Sequence, residues 1–98
     1  MNKTKEILNR AKTNRPNGIY LLSALDAIDL IRACEEENRE IYGVDAFILT
    51  DGTTQPVSED SIDYSINPFK SYRNWNKAIT FIEQIKSKGY HFEVVYEQ

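Results

Sequence analysis

The sequence predicts an α+β fold, in which two or three helices pack on a small sheet of about three strands in the order α-α-β-β-α-β. Two segments, 23–38 and 72–88, repeat apolar residues at the three- and four-residue steps of a helix. Two others, 44–50 and 91–97, are rich in β-branched and aromatic residues. A chain of 98 residues without internal repeats is expected to form one domain over residues 1–98.

A short first helix is predicted over residues 4–13. Ile7, Leu8 and Ala11 lie there at helical spacing, and the RPNG at 15–18 supplies residues that stop helices and form turns. Because the segment has so few apolar positions, we expect this helix to be partly frayed.

The second helix begins at a recognisable cap. Ser23 starts the sequence S-x-x-D with Asp26, in which the hydroxyl can satisfy an open backbone N–H group and the acid complements the helix dipole. We expect the helix to reach about Asn38 and Gly43 to separate it from the next element. One apolar stripe should pack on the sheet. That stripe consists of Leu25, Ala27, Ile28, Ile31 and Cys34.

A central strand is predicted at 44–50, because near-continuous apolarity indicates a strand covered on more than one side. The dipeptide Asp51-Gly52 favours a tight hairpin turn, followed by a short return strand that Pro56 ends by removing a ladder donor. The polar, acidic segment 57–72 shows little periodicity of either kind, so we expect an ordered loop there.

The carboxyl-terminal part is predicted to form a helix and a strand. Ser71 precedes a helix at about 72–88, whose core face carries Trp75 and apolar residues at helical spacing. Gly89 can adopt the left-handed conformation that closes the last turn. The strand at 91–97 alternates, and its drier face should be Phe92, Val94 and Tyr96.

Charge is unevenly distributed along the chain. Residues 1–18 hold five bases and one acid, for +4; residues 19–69 hold eleven acids and two bases, for −9; residues 70–98 hold five bases and three acids, for +2. An acidic middle repels phosphates and attracts basic surfaces, so we expect a basic protein as partner and no direct nucleic-acid contact. The basic first segment is interpreted as a solvated helix face, with a contact to RNA or a membrane surface as the alternative.

Some chemistries lack the residues they require. The single cysteine, Cys34, excludes an internal disulfide and a zinc site built from cysteine pairs, and its place in the apolar stripe indicates a core thiol. No glycine loop for phosphates and no calcium loop is present, so neither a cofactor nor a metal is predicted. The longest apolar stretches, at 19–22 and 46–49, are too short to span a bilayer, and the first residues do not resemble a secretory signal. We therefore expect a cytoplasmic protein without membrane contact.

The chain is predicted not to be an enzyme and to have no catalytic residue. Its lone histidine, His91, lies at the start of the last strand and would need partners from elsewhere to act as a general base or metal ligand. No serine lies in a G-x-S-x-G elbow. A small hydrolase that uses His91 with an acid is the alternative.

Two acidic groups supply the predicted partner-binding residues. Acids at 35–37 oppose the dipole at a helix carboxyl end, which favours an interface role, and a solvated helix end is the alternative. The segment 51–64 combines carboxylates with an aromatic ring that can anchor an interface. The alternative is that Tyr64 and Phe69 pin this segment to the core. The full set is Glu35, Glu36, Glu37, Asp51, Glu59, Asp60, Asp63 and Tyr64.

The residues VDAFILTDGTTQPVSEDSIDYS, the following helix with Trp75 and the closing FEVVYE are similar to small immunity proteins of bacterial polymorphic-toxin systems, including contact-dependent growth inhibition. The resemblance covers about residues 41–97. It implies a cytoplasmic protein that binds the toxic C-terminal domain of a cognate effector and blocks its active site or its access to substrate. Many such toxins are nucleases, whose surfaces are basic because they hold phosphates.

A non-catalytic regulatory or adaptor domain that binds another basic protein is the alternative function. A homo-oligomer formed through the same acidic surface belongs to this alternative, and the oligomeric state stays open. Gene order separates the two functions, because an immunity gene should directly follow a large toxin gene.

Overall fold

The computed structural model describes residues 3–11, 13–14, 20–50, 53–64 and 74–97. In this part of the chain, a three-stranded antiparallel sheet is combined with three α-helices, which confirms the predicted α+β class. In chain order, the elements are α1 (Lys3–Leu8), β1 (Thr13–Asn14), β2 (Tyr20–Leu21), α2 (Ala24–Glu36), β3 (Ile41–Thr50), β4 (Thr53–Asp63), α3 (Trp75–Ile85), a 3-10 turn (Lys86–Lys88) and β5 (His91–Tyr96).

The prediction of a central strand is confirmed, since β3 lies between β4 and β5 and pairs antiparallel with both. The strand begins at Ile41, earlier than the predicted Val44. It therefore includes Gly43, which was expected to precede it. A Cβ atom at Gly43 would lie 2.9 Å from the backbone oxygen of Ile62 on β4. The close approach of the two strands therefore requires glycine at this position.

A second, two-stranded sheet of β1 and β2 does not follow from the sequence patterns. Leu22, just after β2, exchanges two backbone hydrogen bonds with Phe92 of β5: the Leu22 N–H donates at 2.8 Å and the Phe92 N–H at 2.7 Å. This exchange attaches the small sheet to β5. Strands of two residues are too short to show an alternating pattern, which needs about four residues or more.

The predicted cap of α2 is confirmed. The Ser23 hydroxyl accepts a hydrogen bond from the Asp26 N–H at 3.2 Å, and the helix ends at Glu36, close to the expected Asn38. At the other end of the chain, Gly89 is left-handed with φ 78° and closes the turn after α3 as expected.

The amino end of α3 is fixed against the start of β3. The Trp75 indole N–H donates to the Arg39 carbonyl at 2.7 Å, and the Asn74 side-chain amide donates to the Ile41 carbonyl at 3.3 Å. The helix begins at Trp75, later than predicted. Ser71, expected to precede it, lies outside the described residues.

The helices α2 and α3 cover one face of the three-stranded sheet. Leu30 and Ile31 of α2 and Ile82 of α3 are fully buried in one core with Val44 of β3 and Phe92 of β5. Burying a side chain of this size stabilises the fold by about 1.5–3 kcal/mol. This core fixes which face of each strand points away from the helices.

The predicted stripe of α2 is correct at Ile31 and Cys34, which are fully buried, and wrong at Leu25, which is 71% exposed. Leu25 precedes Cys34 by about two and a half helical turns and so lies on the opposite side. Burial raises the pKa of the Cys34 thiol to about 12, which keeps it protonated. The prediction of a core thiol is therefore confirmed.

The expectation of a short return strand is wrong. β4 continues past Pro56 as far as Asp63, so residues 57–63 form strand and not loop. Pro56 is tolerated because β4 is the outer strand of the sheet within the described residues, where one side of the backbone needs no ladder partner. The later part of the predicted loop, from residue 65, lies outside the described residues.

A bulge hides the strand pattern of β4 in the sequence. Ala46 pairs with Val57 and Val44 pairs with Ile62, so residues 58–61 all lie opposite a single residue of β3. This interruption destroys the period of two by which a strand is recognised.

Ser61 closes the bulge with its side chain. Its hydroxyl oxygen accepts a hydrogen bond from the Ala46 N–H at 2.9 Å and its hydroxyl donates to the Val57 carbonyl at 2.8 Å. The side chain thus replaces a ladder partner that the bulge removes from β3.

Replacing Ser61 with alanine is expected to lower the free energy of unfolding by about 1–3 kcal/mol, because the buried Ala46 N–H loses its acceptor. Urea unfolding followed by circular dichroism measures the change. Ser58→Ala is the matched control, since Ser58 is an exposed serine of the same bulge. Equal midpoints for the two variants would contradict this role of Ser61.

Candidate protein interface

The basic first segment neutralises part of the acidic middle when the chain folds. Arg10, just after α1, contacts both Asp26 and Asp29 of α2 at 3.2 and 3.3 Å. Lys3 of α1 contacts Glu36 at the end of α2 at 2.9 Å. The separation of charge along the sequence therefore overstates the negative charge that the folded chain presents on α2.

The acidic helix end that was predicted to bind a partner is engaged within the chain at two of its three positions. Glu36 pairs with Lys3, and Glu37 accepts a hydrogen bond from the Arg39 guanidinium at 2.8 Å. Glu35 is exposed and forms no ion pair with any described residue. The Lys3–Glu36 pair is exposed and screened by water, so a partner could displace it at little cost, whereas the Arg39–Glu37 pair is partly buried.

Asp60, a second predicted contact residue, is used inside the fold. Its carboxylate accepts hydrogen bonds from the Lys88 ammonium at 2.9 Å and the Tyr90 hydroxyl at 2.7 Å. These hydrogen bonds lower the pKa of Asp60. Because they tie the bulge of β4 to the start of β5, we assign Asp60 a structural role and remove it from the candidate surface.

Tyr64 is likewise not available to a partner. Only 2% of the residue is exposed, its ring belongs to the core, and its N–H donates to the Tyr42 carbonyl at 2.7 Å. Burial raises the pKa of its hydroxyl. The alternative that Tyr64 pins this segment to the core is therefore the correct one, and its assignment as an interface anchor is wrong.

The remaining predicted contact residues of segment 51–64 differ in position and exposure. Asp51 lies outside the described residues. Glu59 is exposed on the bulge of β4, and Asp63 is exposed at the end of that strand. Charged side chains and bulges on an outer strand also protect its edge from pairing with other chains. Edge protection is therefore the alternative to a partner-binding role for Glu59.

A different acidic group appears on the sheet face that points away from α2 and α3. Strand alternation places Asp45 there, because its neighbours Val44 and Ala46 are buried in the core. Glu93 of β5 pairs directly with Asp45, and Asp63 of β4 pairs with Gly43. We call this surface the acidic sheet face; its members are Asp45, Asp63 and Glu93, with the apolar Phe47 and Val95 and with His91 opposite Phe47.

The carboxylates of this face repel one another. Partial burial, and then the charge of Asp63, raise the pKa of Asp45; partial burial, and then the charge of Asp45, raise the pKa of Glu93. Neither Asp45 nor Glu93 forms an ion pair with a base in the described part of the chain. The arrangement lowers the stability of the chain, so stability does not explain it.

Two shallow hollows lie on either side of Asp45. One, about 370 Å³, is bordered by Tyr42, Gly43 and Val95. The other, about 440 Å³, is bordered by Phe47, Pro56 and the bulge of β4. Asp45, Ile62 and Asp63 border both. The acidic sheet face is therefore a grooved surface that combines apolar walls with carboxylates.

The sequence held one signal for this site. Asp45 is the only charged residue within the apolar run 44–50, and a strand buried on both faces would not tolerate it. A strand covered on more than one side, as predicted for this run, has no exposed face for a charged side chain. Asp45 is for this reason not among the predicted partner-binding residues. Glu93 already stood at a position expected on the wetter face of the last strand.

The described residues contain no group of three or more histidine, cysteine, aspartate or glutamate side chains that could hold a metal ion. Among the helices of the described residues, none has the length and apolarity needed to cross a membrane. Compared with known proteins, the chain matches no protein-family model and no curated protein.

Asp45→Asn is expected to raise the free energy of unfolding at pH 7 by about 0.2–1 kcal/mol, the usual size of a cross-strand charge effect. A folded-state pKa above the unfolded one means that ionisation disfavours the fold. The gain should therefore be present above the folded pKa and vanish as pH falls below the unfolded pKa. Urea unfolding at pH 7 and pH 3 measures both limits.

Glu83→Gln provides the control for Asp45→Asn, because Glu83 is an exposed acid that pairs with Lys86 at 3.0 Å. It should give no gain at pH 7. A loss of stability in Asp45→Asn at pH 7 would contradict the proposed repulsion.

Proposed function

We propose that this chain is an immunity protein, which binds the toxic C-terminal domain of a cognate bacterial toxin and blocks its active site or its access to substrate. In this proposal the toxin is a nuclease, the inhibition involves no covalent step, and the complex forms in the cytoplasm. One observation carries the proposal: Asp45 and Glu93 lie side by side on a sheet face, half-buried and without a base paired to them in the described residues.

Such a pair of carboxylates favours a positively charged partner. Cations from a partner would relieve the repulsion between Asp45 and Glu93. Part of the binding energy would therefore come from removing an electrostatic repulsion that is present in the free chain. A nuclease carries bases where it holds phosphates, and an acidic inhibitor competes for those bases. The acidic face would thus both attract the toxin and exclude its substrate.

The composition of the face is compatible with a specific interface. Such interfaces bury roughly 800 Å² per partner, and their energy is concentrated in a few central residues. Here the apolar Phe47 and Val95 lie among the acids, and Val95 is 39% exposed. The exposed Glu59 on the bulge of β4 would add longer-range attraction at the rim.

The resemblance of residues 41–97 to immunity proteins supports a toxin as the partner. The charges of the sheet face support this face as the contact surface. A regulatory or adaptor domain would use the same surface on a different basic protein. The two are distinguished by the identity of the partner and not by the chemistry of the contact.

The test is binding to the product of the gene directly upstream, prepared as an isolated toxic domain with its active site inactivated. We expect Asp45→Asn combined with Glu93→Gln to slow association at least about tenfold at low ionic strength, because steering by charge is lost. Stopped-flow fluorescence at two salt concentrations measures the association rate. The effect should shrink at high salt.

The matched control is Asp26→Asn combined with Asp29→Asn, which removes the same charge from α2, where Arg10 contacts both carboxylates and neutralises one of the two charges. It should change the rate by less than about threefold. If both double variants slow association equally, the sheet face is not the contact surface. If the upstream product does not bind at all, the immunity function is wrong and the adaptor alternative replaces it.

A further inference from the structure

The acidic groups of the sheet face lie on three neighbouring strands. Asp45 of β3 is directly opposite Glu93 of β5, and Asp63 of β4 lies diagonally across, opposite Gly43. Directly opposed residues of antiparallel strands have Cβ atoms about 4.5–5.5 Å apart, and diagonal ones are still within reach of long side chains. A single flat cation with several donors could therefore contact more than one of these carboxylates.

The surroundings of the acids favour a cation with an apolar stem. The hollow bordered by Gly43 and Val95 gives an approach to Asp45 along apolar surface, and Gly43 offers no side chain to block it. Phe47 and Pro56 form the wall of the second hollow. A side chain that lies in this groove contacts hydrocarbon over its length and a carboxylate at its tip.

Arginine fits this groove better than lysine. Its guanidinium is planar, presents five donors in a fixed fork and is less strongly hydrated than an ammonium group, so half-burial beside Asp45 costs it less. It also keeps its charge at every physiological pH. A lysine ammonium would have to lose more water to reach a carboxylate that is half-buried.

We propose that the acidic sheet face receives an arginine side chain of the protein partner, whose stem lies along Val95 and whose guanidinium lies between Asp45 and its acidic neighbours. This inference rests on the proposed function and names the chemical group that the face recognises. A second copy docked through the same face would bring further carboxylates, and a nucleic acid would bring phosphates, so charge complementarity selects a basic protein segment.

The inference can be tested without the toxin. Three blocked pentapeptides, Gly-Ser-X-Ser-Gly with X as arginine, lysine or citrulline, are titrated into the full ¹⁵N-labelled chain, and amide shifts are followed by NMR. We expect the arginine peptide to shift the amides of Gly43, Asp45 and Glu93, and the lysine peptide to bind at least about threefold more weakly. Citrulline, which has the same shape without the charge, should give no saturable shift.

Two variants complete the test. Asp45→Asn combined with Glu93→Gln should weaken the response to the arginine peptide at least about tenfold while keeping the dispersed spectrum of a folded chain. Asp26→Asn combined with Asp29→Asn should leave the response unchanged. The inference is overturned by equal responses to arginine and lysine, or by shifts that map to α2 instead of β3 and β5.

The outcome is separable from that of the proposed function. If the toxic domain binds in a manner that depends on Asp45 and Glu93 but the arginine peptide does not, the choice of arginine is wrong and the immunity function stands. If the arginine peptide binds and the toxic domain does not, the immunity function is wrong. The inference that the face recognises arginine is then still supported.

Discussion

The pairing of β3 with a strand on each side is the constraint on which the rest of the structure depends. Antiparallel pairing fixes the alternation of side chains, and the burial of Val44 and Ala46 under the helices forces Asp45 to the opposite face. A shift of one residue would place this carboxylate in the core. The hydrophobic core thus positions the acid on which the proposed function rests.

Most of the regular elements could be predicted because their signals are local. The cap at Ser23, the apolar period of α3 and the left-handed Gly89 depend on residues within a few positions of one another. The full length of β4 could not be predicted. Its bulge is held by a hydrogen bond from Ala46 to Ser61, a contact between two strands that has no counterpart in the local pattern.

The candidate site was harder to predict than the fold, because charge acts over distances that the sequence does not show. Three acids of α2, Asp26, Asp29 and Glu36, are engaged by Arg10 and Lys3, and Asp60 is engaged by Lys88. Of the residues that were predicted to bind a partner, Asp63 also lies on the acidic sheet face, where folding adds Asp45 and Glu93. The acidic middle can be counted from the sequence, but which of its acids gain a base inside the chain is a property of the fold.

The central claim is that the carboxylates of the sheet face meet positive charge in the complex. The most direct measurement is the titration of the Asp45 and Glu93 carboxyl carbons by ¹³C NMR, in the free chain and with the toxic domain bound. Our account predicts pKa values above the ordinary ones in the free chain, because of burial and mutual repulsion, and lower values in the complex. Ordinary pKa values in the free chain, or values that the partner leaves unchanged, would contradict it.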